Sequence, residues 1–179
     1  MKNDIDKVLF DEETLANKVE ELGSLIEQDF KDKELLVVGI LKGASLFMSD
    51  LVRKINCPLT MDFMVVSSYG AATESSGIVK ILKDLDSDIK GKSVIIVEDI
   101  IDTGLTLSYL KEYLLNREAA DVKICTLLNK PSGREKSVHI DYVGFDVPDE
   151  FIIGYGIDYA EKYRNLPVIG TLKREIYEK

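Results

Sequence analysis

The chain has 179 residues, 45% of them hydrophobic and 31% charged, an ordinary composition for one globular domain with ample material for a core. A net charge of −9 argues against a general binder of nucleic acid or of anionic membranes. No apolar run approaches the roughly 20 residues that a membrane span requires. The opening residues 1–6 also lack the apolar stretch of a secretory signal, which predicts a cytoplasmic protein.

Taken in chain order, a short apolar start at Val8, Leu9 and Phe10 leads to Asp11, placed to cap a helix with Glu12 and Glu13 in its first turn. Leu15, Val19, Leu22, Ile26 and Phe30 then recur on one helical face. Residues 35–41 read as a buried strand ending at Lys42 and Gly43, and 44–55 as a helix. Pro58 interrupts the chain before a strand through Met61, Phe63 and Val65. Residues 67–77 are small, polar and without period, which predicts a mobile loop. A strand at 78–82 and a turn at 86–91 lead to a buried strand whose β-branched core is 94–97. A helix over 103–116 follows, with Leu107, Leu110 and Leu114 inward, then a buried strand over 122–128 ending at Asn129, Lys130 and Pro131. Short strands at 142–146 and 151–155 precede the closing tail.

Strands alternating with helices indicate an α/β fold, a doubly wound and mostly parallel sheet with helices on both faces. We expect a single domain over 1–179, with a small hood over the sheet contributed by the N-terminal and C-terminal segments, the region 151–158 included. Ligands of such sheets sit outside the carboxyl ends of the strands. Lys42, the segment after Val66, residues 98–106 and Lys130 all fall at such ends.

The chemistry concentrates at 93–107. The buried strand meets two adjacent carboxylates, Glu98 and Asp99, and then Thr103, Gly104 and Thr106 open a helix. Threonine hydroxyls, a permissive glycine and unpaired helix N–H groups make an anion site. The carboxylates beside it can accept hydrogen bonds from a vicinal diol, so the pairing suits a phosphorylated ribose. Asp102-Thr103-Gly104 also matches the aspartic protease triplet, but that chemistry needs two copies facing each other, and the chain has one, between a parallel-type strand and a helix. The bland alternative is an ordinary solvated sheet edge. Cys57 and Cys125 show no metal or disulfide spacing, and Cys125 sits in an apolar run. His139, the sole histidine, lies in a polar connection and reads as a surface residue.

The run from Val97 to Gly104 resembles the 5-phosphoribosyl-1-pyrophosphate (PRPP) motif of purine phosphoribosyltransferases. Around Leu41-Lys42-Gly43-Ala44, Ser68-Tyr69-Gly70, Leu128-Asn129-Lys130, Phe151 to Tyr159 and Tyr163 to Pro167, the chain is also similar to the bacterial hypoxanthine-guanine phosphoribosyltransferases. The resemblance implies a type I phosphoribosyltransferase-like fold and transfer of the phosphoribosyl group from PRPP to N9 of hypoxanthine or guanine, releasing pyrophosphate. It implies Asp102, Thr103, Gly104, Leu105 and Thr106 around the 5′-phosphate, with Asp102 also catalytic at purine N7. It implies Glu98 and Asp99 at the ribose hydroxyls, and Lys42, Gly43 and Arg164 at pyrophosphate. Lys130, Phe151, Ile152 and Asp158 are implied at the purine, with the Lys130 ammonium donating to O6 and Phe151 stacking. Ser68 and Tyr69 belong to an implied lid. A magnesium ion is implied at Glu98, Asp99 and Asp158, as are a homodimer or homotetramer and no nucleic-acid or membrane partner. In this family the turn at Lys42 and Gly43 can adopt a non-proline cis peptide. A regulator that keeps the fold to sense PRPP is the competing class; it would carry a basic face or an added binding segment. A pyrimidine- or adenine-specific relative fits Lys130 and Phe151 poorly.

Overall fold

The computed structural model describes residues 1–69 and 78–178. Its main sheet has six strands: β2 (Leu35–Leu41), β3 (Leu59–Tyr69), β4 (Ile78–Lys83), β5 (Ser93–Ile101), β6 (Asp121–Asn129) and β7 (Tyr142–Asp146), in the spatial order β4-β3-β2-β5-β6-β7. All neighbours are parallel except β3 and β4, which form an antiparallel pair at one edge. The predicted doubly wound, mostly parallel sheet is the observed one.

Strand alternation sends successive side chains to opposite faces. Leu35, Val37, Ile95, Val97, Cys125 and Leu127 pack with α1 (Glu12–Phe30) and α2 (Ser45–Val52) on one side. Leu36, Val38, Ile40, Val94, Ile96 and Ile124 pack with α3 (Leu105–Asn116) on the other. The helix α1 starts as its sequence predicts, the Asp11 carboxylate accepting the Thr14 N–H at 2.9 Å. Leu15, Val19, Leu22, Ile26 and Phe30 are all buried. Cys125 is buried and His139 exposed, as read from sequence.

A second, three-stranded sheet joins β1 (Ile5–Phe10), β9 (Ile169–Leu172) and β8 (Ile152–Ile153). Sequence reading saw an apolar start and a tail where β1 and β9 pair antiparallel. Neither segment has a clean alternation of its own; β1 becomes a strand against β9, and β9 lies between β1 and β8, which both supply its backbone partners. A short α4 (Arg174–Tyr177) closes the chain.

Five boundaries differ from expectation. β3 continues through Tyr69, pairing Ser67, Ser68 and Tyr69 with Lys80, Val79 and Ile78, so 67–69 are strand and not part of the expected loop, whose other residues lie outside the described ones. Backbone ladder bonds hold this polar stretch extended, which side-chain pattern does not report. β5 runs on to Ile101, which places Glu98 and Asp99 within the strand. α3 begins at Leu105, leaving Thr103 and Gly104 in the preceding turn, and α2 ends at Val52. The expected strand at 151–155 is two residues long, because Gly154, Tyr155 and Gly156 turn with φ of 101°, 47° and 101°.

Candidate active site

Three strand ends, β2, β5 and β6, present their polar groups on one rim of the sheet. After β5 the chain turns through Asp102, Thr103 and Gly104 into α3. Gly104 has φ of 79°, and a Cβ there would lie 2.4 Å from the Lys136 carbonyl, so glycine is required twice over. The turn's carbonyls are engaged from behind. Glu135 and Lys136 N–H both donate to Thr103 O, at 3.0 and 2.9 Å, and Arg134 Nε donates to Asp102 O at 2.9 Å. The first-turn N–H groups of α3 have no intrahelical acceptor. They border a cleft of 250 Å³ that Glu98, Asp102, Thr103, Gly104 and Thr106 help to line. Thr103 Oγ1 accepts the Leu105 N–H at 3.4 Å, a long contact.

On β5 itself both carboxylates are withdrawn from water. Glu98 Oε2 is buried without a hydrogen-bond partner. Burial, and then the Asp99 charge, push the Glu98 carboxyl well above its usual range. Burial also raises the Asp99 carboxyl, opposed by the Ile100 N–H, which donates to Oδ1 at 2.7 Å, and by the Arg164 charge. Asp99 lies against the end of β2: a Cβ on Gly43 would sit 1.8 Å from Asp99 Oδ2. A Cβ on Gly156 would in turn meet Gly43 O at 2.1 Å. These two glycines let the β2 turn be packed between a carboxylate and the segment after β8. The non-proline cis bond here joins Leu41 to Lys42, one peptide earlier than the Lys42-Gly43 bond.

At the end of β6, Lys130 carries the third group. Its ammonium lies 2.7 Å from Asp149 Oδ1 and 3.6 Å from Asp102 Oδ2, with the side chain only 16% exposed. Burial pulls its pKa down, but hydrogen bonding and charge from Asp149 and Asp102 outweigh that, and the net shift is upward. Asp102 is set by Gly133, where a Cβ would fall 1.6 Å from Asp102 Oδ1. Phe151 is exposed; Tyr177 stacks on it at 5.0 Å and Tyr159 meets it edge-on at 5.2 Å. Ile152 is buried in β8, opposite Thr171.

Arg164 and Asp158 meet in an ion pair at 2.7 Å. Asp158 Oδ2 also accepts the Glu161 N–H at 2.8 Å, so both carboxylate oxygens are engaged. Arg164 Nη1 donates to Gly156 O at 2.8 Å, while its Nε is buried and unpartnered. Lys42 is exposed and paired with Glu161 at 2.8 Å. Among the described residues no group of three or more His, Cys, Asp or Glu side chains is arranged to hold a metal. Asp158 is thus held by Arg164, apart from a joint cluster with Glu98 and Asp99. The backbone of Ser68 and Tyr69 belongs to β3, and the rest of the expected lid, 70–77, lies outside the described residues.

Sequence reasoning missed Gly133, Arg134, Asp149 and Glu161, which support the expected residues. Gly133 and Arg134 follow the Lys130-Pro131 strand end, and that position was the available signal. Asp149 and Glu161 lie in turns whose contacts only the folded chain creates.

Residues 7–160 match the phosphoribosyl transferase domain family. The chain is 56% identical over 178 residues to the hypoxanthine-guanine phosphoribosyltransferase of Bacillus subtilis, covering 99% of each. It is 54% identical over 179 residues to the enzyme of that name in Streptococcus thermophilus, covering 100% of this chain and 99% of the other. A crystal structure of a hypoxanthine phosphoribosyltransferase from Staphylococcus aureus superposes with a TM-score of 0.97 at 50% identity, covering 100% of this chain and 97% of that one.

Proposed function

The chain belongs to the hypoxanthine-guanine phosphoribosyltransferase family, and from that premise we infer how its own residues divide the work of the reaction. The enzyme transfers the 5-phosphoribosyl group from PRPP to N9 of hypoxanthine or guanine, giving IMP or GMP and pyrophosphate, a purine-salvage activity.

The turn from Asp102 to Thr106 takes the 5′-phosphate. The Asp102 and Thr103 carbonyls already hold donors, which leaves N–H groups and threonine hydroxyls for the anion. Binding this remote phosphate fixes the anomeric carbon without touching it. Glu98 and Asp99 receive the ribose hydroxyls, and the orphaned Glu98 Oε2 is an acceptor in need of a donor. Lys42, the Gly43 backbone and Arg164 receive pyrophosphate. Arg164 brings a guanidinium with an unused buried Nε, and Lys42 brings an exposed ammonium.

At the purine, Lys130 donates to O6. Its ammonium has three N–H donors, of which Asp149 and Asp102 engage at most two. Adenine offers a donor at that position and is rejected. Phe151 presents its ring to the base, and the Ile152 backbone, with Asp158 nearby in sequence, borders the ring edge. Asp102 lies within reach of the same ammonium, where its carboxylate accepts or shares the N7 proton as N9 bonds to the ribose. The carboxylate also stabilises the positive charge that develops on the ribosyl ring. Ser68 and Tyr69 act with the segment after them as a lid that excludes water.

The donor set suits magnesium: hard carboxylate oxygens, one of them buried and unpartnered. Asp158 is already engaged by Arg164 and by the Glu161 N–H, so Glu98 and Asp99 are the residues that would serve a magnesium–PRPP complex. A magnesium ion held there would supply positive charge to offset the negative charge of the pyrophosphate leaving group. In solution the protein is a cytoplasmic homodimer or homotetramer. No helix among the described residues is long and apolar enough to cross a membrane.

The observation that carries this division is the shared rim: an N–H-lined turn, two buried carboxylates and the Lys130–Asp102 pair at adjacent strand ends. A panel of free bases assayed with PRPP tests it. Hypoxanthine and guanine are converted, adenine is not, and excess chelator abolishes turnover. Efficient use of adenine would overturn the role of Lys130, and full activity in chelator would overturn the metal assignment.

A further inference from the structure

Residues 134–136 have no part in the chemistry assigned above, yet they reach two backbone carbonyls of the phosphate turn, those of Asp102 and Thr103. Thr103 O is held by two N–H groups, of Glu135 and Lys136. Asp102 O is held by a side chain, Arg134 Nε, at 2.9 Å. The same guanidinium donates from Nη2 to Asn129 Oδ1 at 2.6 Å. The Asn129 amide is itself oriented, because its Nδ2 donates to Asp146 Oδ1 at 2.7 Å and leaves the oxygen for Arg134. One planar fork therefore ties the turn after β5 to the last residue of β6, the residue before Lys130.

We propose that Arg134 is a positioning residue for PRPP, holding the Asp102 peptide so that the phosphate turn shows N–H groups, and no carbonyl, to the cleft. A peptide carbonyl that loses its donor is free to rotate, and a carbonyl dipole aimed at a phosphate opposes binding. Two acceptors at fixed separation demand the guanidinium fork. A lysine, with one terminal nitrogen, does not match both in this geometry. Asn129 keeps two other restraints, from Asp146 and from the Val147 N–H on its carbonyl, so Lys130 stays in place when Arg134 is lost. The effect therefore falls on PRPP and largely spares the purine. The proposal rests on the assignment of the 5′-phosphate to this turn.

The test uses the full chain carrying R134A, R134K or T106V, with equilibrium PRPP binding, hypoxanthine KM at saturating PRPP, and thermal unfolding. R134A and R134K should each weaken PRPP binding about ten- to a hundred-fold, with hypoxanthine KM near the parental value. Guanidinium added to R134A at a non-denaturing concentration should restore part of the affinity, which a general loss of packing would not allow. If R134A does not fold, R134K carries the test, since it keeps the charge and most of the length. Parental PRPP affinity in R134K overturns the two-point role. Parental affinity in R134A with weakened binding in T106V overturns the Arg134 inference and leaves the phosphate site standing. Parental affinity in all three variants overturns both.

Discussion

Asp102→Asn separates the chemistry of the site from its architecture. The side chain keeps its shape, so it still fits against Gly133, whose bare Cα leaves room for the Asp102 oxygen. The phosphate turn is held through main-chain atoms, Asp102 O and Thr103 O, and neither contact involves the altered group. What is lost is the charge, 3.6 Å from the Lys130 ammonium. At that distance the attraction is about 1 kcal/mol in water and about 5 kcal/mol at an effective dielectric near 20. The Asp102 side chain is 48% exposed, which favours the lower figure, and Asp149 still holds Lys130 at 2.7 Å. Stability and PRPP affinity should therefore change little. Turnover should fall about 10²- to 10⁴-fold, the usual worth of a positioned acid or base. Single-turnover rates and equilibrium PRPP binding on the folded variant read the two effects apart. A parental rate would remove Asp102 from the mechanism, and loss of PRPP binding would make it a structural part of the turn.

Gly133→Ala should displace the same carboxylate without removing it, lowering kcat by about 10²-fold while PRPP affinity holds; an unchanged kcat would show that the carboxylate's place is immaterial. Lys130→Gln should cost about ten- to a hundred-fold in kcat/KM for hypoxanthine and narrow the preference over adenine, and an unchanged ratio between the two bases would refute O6 recognition. Glu98→Gln bears on pH. The folded state raises the Glu98 pKa above the ordinary 4.5, so below that pH both states hold the proton and the side chain carries no penalty. As pH rises, the unfolded chain ionises first and folding loses stability until the folded carboxyl ionises too. The variant should therefore unfold at higher temperature than the parent at about pH 8 and match it at about pH 4; parallel curves would contradict the buried, unpartnered carboxylate.

The elements were legible wherever one face of a segment dictates its partner. The stripe from Leu15 to Phe30, the β-branched run at 94–97 and the apolar run ending at Leu128 each specify helix or buried strand by period alone. The strand-helix alternation implies the parallel sheet, and the sheet implies that Lys42, Asp102 and Lys130 share a rim. The motif from Glu98 to Thr106 carries its chemistry locally, since a glycine, hydroxyls and a helix start suffice to predict an anion site. None of this depends on distant residues.

What only the tertiary structure decided is how those groups are held. β1 is a strand because β9, more than 150 residues away, supplies its hydrogen bonds, and no local pattern encodes a partner that remote. Asp149 on Lys130, Arg134 on Asp102 and Asn129, and Glu161 on Lys42 are likewise contacts between segments that read as polar turns. The burial of Glu98 belongs here too, because a carboxylate's sequence neighbours do not say how much water the packed sheet leaves it. Local sequence determined which chemical groups this protein brings to the rim. Packing determined their burial and their partners, because desolvation and hydrogen-bond geometry are properties of the assembled chain.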